Sequence, residues 1–403
     1  MRCGQKHFEA LGVPFAVVVT ADEVQAPGFG CDPTSWAECS CRPRSTSTEG
    51  ACSLSESLGR TTTSTSTGRF PPAPFPVTSP QERTWRSAMR AIVCPRYGGP
   101  EVLEMREVER PSPKDDEVCI RIMATAVTAS DIFIRGSDIP LRFRIPMRLM
   151  IGVTRPRQPI IGLVLAGEIA SVGRTTTRFQ LGDQVYGLTG FGLGAYAEYK
   201  CMKETDSKHG CLALKPANLT YEEATVAAYG GLLALQYMER GRIRRGQRVL
   251  VYGASGTSGT TAVQYAKHLG AVVTGVCSTA NVELVESLGA DSVIDYTKVD
   301  ALEPGDRYDF VLDAVGKAKT SRLKGSCRAS VSGKDRYVSI DDGSLLLDSG
   351  RLAAMKELVE AGHIRPVVDR CYPLEDIAEA HRYVEKGHKR GGVAVTVRRE
   401  VVA

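Results

Sequence analysis

Arg248-Val249-Leu250-Val251-Tyr252-Gly253-Ala254-Ser255-Gly256-Thr257-Ser258-Gly259 runs from a short apolar strand, through a glycine-rich turn, into a helix containing Val263, Ala266 and Leu269. A glycine triplet alone is weak evidence. Between a strand and a helix it is strong, because glycines let the backbone turn sharply and approach a pyrophosphate closely. The helix N-terminus then offers that charge unpaired amides and a positive dipole. Gly253, Ser255, Gly256, Thr257, Ser258 and Gly259 are therefore candidate contacts to a dinucleotide. The other reading is a mere flexible connection.

Working outward, the same alternation continues through strand Val272–Cys277, a helix from Asn281 to Leu288, strand Ser292–Tyr296 and strand Phe310–Ala314. Strands alternating with helices imply a parallel, doubly wound sheet. Ala314 and Val315, at the end of its last strand, join the candidate cofactor contacts. Cofactor choice is read after the second strand, where an NAD site usually carries an acid that holds the ribose 2′-hydroxyl. Here the strand ends Cys277-Ser278-Thr279-Ala280-Asn281, and no carboxylate follows before Glu283, inside the next helix. Small hydroxyls leave room for a 2′-phosphate, so Ser278 and Thr279 point to NADPH. They can also simply open the helix.

Upstream the texture is different. Thr220-Tyr221-Glu222-Glu223 has capping-box spacing and opens a helix running towards Tyr237. Before it, Ala91-Ile92-Val93, Val118–Ile122, Gly162–Val172, Asp183–Gly187 and Ala195–Cys201 read as short strands between Pro and Gly turns, which implies a bent antiparallel barrel. Val393–Val397 is a last strand, and the tail beyond Pro366 is expected to return to this first unit. Residues 1–88 form a leader in which Ser, Thr and Gly dominate Arg42–Thr67, and Phe70–Pro76 is a proline-rich spacer. Such a composition buries too little apolar surface to offset its ordering entropy. Organelle targeting, mitochondrial or plastid, is the other reading, against which Glu9, Asp22, Glu23, Asp32 and Glu38 count.

Across all 403 residues, 51 basic and 46 acidic side chains intermix to a net charge of +5, with no concentrated field for nucleic acid. No run approaches the ~20 apolar residues needed to span a bilayer. Twelve cysteines, scattered mostly singly, fit a reducing, cytoplasmic setting better than a disulfide scaffold. A small-molecule partner is expected.

From Met89 onward, about 315 residues resemble the zinc-independent, quinone oxidoreductase-like branch of the medium-chain dehydrogenase/reductase superfamily. The resemblance is carried by Met89-Arg90-Ala91-Ile92, Gly98–Leu103, Gly182–Gly187, the glycine turn, Leu288–Tyr296 and Pro373–His381. It implies an α/β protein with two domains: a GroES-like β-barrel catalytic domain, 89–219 completed by 366–403, and a Rossmann domain of doubly wound parallel sheet, 220–365. The active site would lie in the cleft between them. Ser130-Asp131 and Gly162-Leu163-Val164 stand where zinc-dependent relatives carry their ligands, and Cys39 and Cys41 make no four-cysteine cluster. No metal is expected. The resemblance further implies that Thr128, Asp131 and Tyr229 face the nicotinamide, that Tyr296 lies near the 2′-phosphate and that Arg390 supplies a basic contact. Equally, Asp131 can cap a helix, Tyr229 fill core and Tyr296 end a strand. Leu233 and Ser258 depart from the family's usual Thr and Val. Between Ser339-Ile340-Asp341 and the helix around Leu352–Leu358 only a short link remains, so a homodimer is left open.

The expected reaction is NADPH-dependent hydride transfer to an activated C=C of an enone or alkenal, or to a quinone. Tyr229 and Thr128 would meet the charge on the carbonyl oxygen, and Asp131, ionised, would orient. The alternatives are a metal-free alcohol dehydrogenase and a non-catalytic nucleotide-binding protein on a dehydrogenase fold.

Overall fold

The computed structural model describes residues 88–136, 148, 151–317 and 319–398. The leader, with Cys39 and Cys41, lies outside them, except that the first strand already begins at Ala88.

Strands β1 (Ala88–Val93) and β2 (Glu104–Glu109) form an antiparallel pair. Next come β3 (Glu117–Val127), α1 (Ala129–Arg135), β4 (Val164–Val172), β5 (Gln184–Leu188), β6 (Tyr199–Lys203) and β7 (Cys211–Leu214). The polypeptide then passes through α2 (Tyr221–Val226), a π-helical turn at Ala227–Gly231, and α3 (Leu232–Arg240). The glycine-rich region supplies β8 (Arg248–Tyr252), α4 (Thr257–His268), β9 (Val272–Cys277), α5 (Val282–Ser287), β10 (Ser292–Asp295) and β11 (Phe310–Asp313). Finally come α6 (Arg322–Ala329), β12 (Tyr337–Ser339), α7 (Ser349–Glu360), β13 (Val368–Pro373), α8 (Ile377–Glu385) and β14 (Gly392–Thr396).

The five strands β10-β9-β8-β11-β12 lie side by side in that order, all parallel. β8 is buried from Val249 to Tyr252, as a strand covered on both faces must be, and its apolar run is correspondingly continuous. Strand order reverses between β8 and β11, and the crevice at their carboxyl ends is where such sheets take ligands.

The other large sheet runs β13-β14-β3-β4-β5-β7, with β6 also on β3. It is antiparallel apart from the parallel β13–β14 pair, so the expected barrel strands assemble with one exception to their direction. The tail pairs with this sheet, Val393 with Val127 and Thr396 with Ala124.

Three details differ from the sequence reading. The strand expected over Ala195–Cys201 begins only at Tyr199. Ala195 and Tyr196 instead donate to Gly162 O and Ile161 O at 3.2 and 3.0 Å, while Tyr196 O accepts from Ile92 N at 2.8 Å, which ties β1 to the sheet. The helix from Thr220 continues past Tyr237 to Arg240 and carries an extra residue in its π turn. Its capping box is present, with Glu223 N on Thr220 Oγ1 at 3.2 Å and Thr220 N on Glu223 Oε2 at 3.0 Å. β12 and β13 were not anticipated.

Candidate active site

β3 delivers the chain to Thr128, which N-caps α1. Asp131 N donates to Thr128 Oγ1 at 3.3 Å, and Thr128 N and Oγ1 both donate to Asp131 Oδ2, at 2.9 and 2.6 Å. Asp131 is therefore a helix cap, the blander of its two readings. It is fully buried, and that burial raises its carboxyl to about 7, against the pull of the Thr128 hydrogen bonds. Desolvation thus opposes the ionised form expected of it, while the two hydrogen bonds from Thr128 favour that form. Thr128 has one O–H, and it is spent on Asp131.

The far end of α1 is anchored by Arg135, which is 1% exposed. Its Nε donates to His381 Nδ1 at 3.2 Å and its Nη1 to Gly98 O at 2.6 Å, and it also pairs with Glu385. Tyr196 OH meets His381 Nε2 at 3.1 Å. Burial, then the Arg135 charge, lowers His381 to about 3, so the ring stays neutral and can accept from Arg135.

Tyr229 sits in the π turn with its hydroxyl 3.0 Å from Ser130 Oγ. Burial raises its pKa, which keeps the phenol protonated and able to donate. The adjoining Gly230 is what allows the turn to approach the glycine loop: a Cβ there would lie 2.7 Å from Thr257 O. Thr128, Ser130, Asp131 and Tyr229 thus converge beside the start of α4. Ser130 was quoted only as a missing metal ligand; its hydroxyl contact could not be read from spacing, since it depends on a residue 99 positions away.

At the glycine turn, Gly253 has φ +83° and lies against Val315, whose Cγ2 would be 2.5 Å from an added Cβ. Gly259 lets α4 pack on the turn, its would-be Cβ being 2.1 Å from Gly253 O. Gly256 is the N-cap of α4 and has no side-chain cap, so the first-turn amides are not consumed by one. Ser255 Oγ accepts from Asn281 Nδ2 at 3.0 Å, and Ser258 is buried at the first turn. Ala314 N donates to Tyr252 O at 2.9 Å, which holds the ends of β8 and β11 together. The cradle, the open helix end and the small residues around them fit a dinucleotide pyrophosphate.

A basic group does reach this turn, but from the neighbour of the expected one. Lys389 Nζ donates to Thr257 Oγ1 and, at 2.7 Å, to Gly391 O. Burial lowers it to about 8. Arg390 is exposed, with its backbone N–H on Asp369 at 2.9 Å. Gly391 N also donates to Ser255 O at 2.8 Å. One position in sequence separates the two cations, and only the loop's course decides between them.

At the end of β9, Ser278 is half-buried and Thr279 exposed. The sequence reading found no acid here, but β10 brings one alongside. Asp295 pairs in register with Cys277, and its carboxylate accepts from Thr279 Oγ1, and from Thr297 N and Oγ1 at 3.0 and 2.7 Å. Those hydrogen bonds, Thr279 first, hold it below the usual carboxylate range. Tyr296 follows directly and is 45% exposed.

Among the described residues no three His, Cys, Asp or Glu side chains are grouped to hold a metal ion, and no helix is long and apolar enough to cross a membrane. Residues 114–213 match the alcohol dehydrogenase GroES-like domain and residues 288–395 the zinc-binding dehydrogenase family. The NADPH-dependent alkenal/one oxidoreductase, chloroplastic, of Arabidopsis thaliana is 31% identical over 76% of this chain and 79% of that protein. The 2-methylene-furan-3-one reductase of Solanum lycopersicum is 30% identical over 77% and 79%. Among solved structures, the quinone oxidoreductase from Coxiella burnetii superposes with a TM-score of 0.65 at 25% identity, covering 77% of this chain and all of that one (100%). Fold, glycine turn and relatives agree: the chain belongs to the medium-chain dehydrogenase/reductase superfamily, in its quinone oxidoreductase-like branch.

Proposed function

We propose that the protein is an NADPH-dependent oxidoreductase that reduces the activated C=C of an enone or alkenal, or a quinone. The observation that carries this reading is the seat of Tyr229, a half-buried phenol one residue from the glycine that abuts Thr257 at the cofactor turn. NADPH, when bound, supplies the hydride. Residues 220–365, joined by Lys389 from the returning tail, would hold it, with the pyrophosphate on the first-turn amides of α4 and the Lys389 ammonium, and the 2′-phosphate near Ser278 and Tyr296. Residues 89–219 and 366–403 would hold the substrate.

Addition of hydride to the β-carbon puts negative charge on the substrate's carbonyl oxygen. A donor already aimed at that oxygen lowers the barrier without reorganisation. Tyr229 is that donor, with Ser130 Oγ holding the phenol in place. Thr128 and Asp131 act on α1, and water can protonate the enolate carbon. Around Tyr229 stand the Ser130 and Thr128 hydroxyls and the Asp131 carboxyl, which Thr128 already engages, so the phenol is the donor best placed for an oxyanion.

Steady-state turnover with NADPH against a panel of enones, alkenals and quinones tests the reaction. Tyr229→Phe should lower kcat by up to about 10²-fold while NADPH affinity stays nearly unchanged, the pattern for a lost transition-state contact. Wild-type turnover in that variant overturns the role of Tyr229. Alcohol oxidation with NADP⁺ and no enone or quinone reduction overturns the reaction class, and cofactor binding with no turnover on any substrate favours a sensor or assembly role.

A further inference from the structure

β3 and β6 pair so that Cys119 stands directly opposite Cys201. Further along the same ladder Ile122 N donates to Glu198 O at 2.9 Å. Hydrogen-bonded and non-hydrogen-bonded pairs alternate in an antiparallel ladder, so three steps away Cys119 and Cys201 form a non-hydrogen-bonded pair. Cα atoms at such a pair lie about 4.5 Å apart, with both side chains leaving the same face. A disulfide spans Cα separations of roughly 4.4–6.8 Å. Both thiols are free, and they hydrogen-bond to each other.

Their surroundings divide the work. Cys119 is fully buried, and the hydrogen bond from Cys201, followed by the Arg110 charge and Ser171, lowers its thiol to about 7. The same hydrogen bond pushes Cys201 upward. Arg110 is itself held in place over the Tyr199 ring, 3.7 Å from its centroid. In the singly ionised pair the charge therefore sits on Cys119 and the proton on Cys201. Cys201 is only half-buried and is the sulfur that a small oxidant can reach.

We propose that Cys119 and Cys201 are a peroxide-oxidised dithiol that closes to a reversible cross-strand disulfide. The Cys119 thiolate takes the Cys201 proton as the Cys201 sulfur attacks hydrogen peroxide. The O–O bond breaks, one oxygen stays on Cys201 as a sulfenic acid, and the other leaves as hydroxide and takes the Cys119 proton to become water. The Cys119 thiolate, stabilised by Arg110, then attacks the Cys201 sulfur. The S–S bond forms, the S–O bond breaks, and the departing hydroxide is protonated by solvent. Two electrons pass from the thiols to the peroxide. The disulfide would pin β6 to β3, the strand that leads into Thr128 and α1.

The full-length chain is treated with hydrogen peroxide, freed of peroxide, alkylated with iodoacetamide in denaturant and digested with trypsin without reductant. The expected product is the peptide Asp115–Arg121 joined to Cys201–Lys203, lighter than the two free peptides by two hydrogens and separated by dithiothreitol. Cys201→Ser at the same dose should leave Asp115–Arg121 alkylated, because Cys119 alone is shielded. Recovery of both wild-type peptides in alkylated form while exposed Cys371 is oxidised overturns the proposal. So does oxidation of Cys119 at the wild-type rate in Cys201→Ser.

Discussion

A carboxyl group at Asp131 that reaches about 7, against an ordinary 3.8, makes the fold sensitive to pH at the position that caps α1. The folded state favours the protonated acid. Its contribution is therefore fully present below about pH 4 and is lost as pH rises through 7, with a ceiling on the order of 4 kcal/mol. Asp131→Asn keeps an acceptor for the Thr128 N–H and hydroxyl and cannot ionise. Chemical denaturation between pH 4 and 8 should show a flatter stability profile in this variant than in the wild type; parallel profiles would remove the burial argument. At the adenosine end, a carboxylate introduced by Ser278→Asp would join Asp295 around the expected 2′-phosphate. Like charges a few ångströms apart should raise the Kd for NADPH by more than about tenfold and leave NADH nearly unaffected, as cofactor fluorescence titration can measure. Unchanged NADPH affinity would contradict the placement of the phosphate.

At the scale of elements, Gly259 sets how closely α4 packs on its own turn, since a Cβ there meets the backbone carbonyl of Gly253 at 2.1 Å. Backbone cannot swing aside as a side chain can. Gly259→Ala should shift α4 away from β8, cost about 1–3 kcal/mol in thermal or urea unfolding and abolish measurable NADPH binding, whereas the same change at Gly246, where a Cβ meets nothing, should act through backbone conformation alone. Wild-type affinity in Gly259→Ala would show that the turn has slack. This element was the most legible part of the sequence. Glycine spacing and apolar runs are local signals, and β8, α4, β9 and the Thr220 capping box follow from them within a residue or two. Asp295 and Lys389 were not legible, because one enters through strand pairing and the other through the path of a loop. β13 escaped for a related reason: Val368–Pro373 has no buried side chain, so no apolar pattern announces it.

For the molecule as a whole, the described chain is held at both ends by strand pairing, β1 with β2 and β14 with β3. β1 begins at Ala88 and β14 ends at Thr396, and all the packing described above lies between them. A protein lacking residues 1–87 should therefore fold, bind NADPH and turn over as the full chain does. Aggregation or lost binding in that truncation would make the leader part of the fold. The same layout has a consequence for biosynthesis. β3 emerges early from the ribosome, yet on the flank that β6 pairs over Glu117–Arg121, the stretch Ala124–Val127 waits for β14, which is translated after the whole parallel sheet. Until then it is an unpaired, largely buried-type strand edge, the kind that recruits other chains. The glycine-turn sheet, whose strands all lie within 248–339, can close sooner and carry the nascent chain through that interval. Messages terminated before Gly392 should thus give a product that nucleates aggregates with its cofactor sheet intact, a failure set by translation order and not by any loss at the active site.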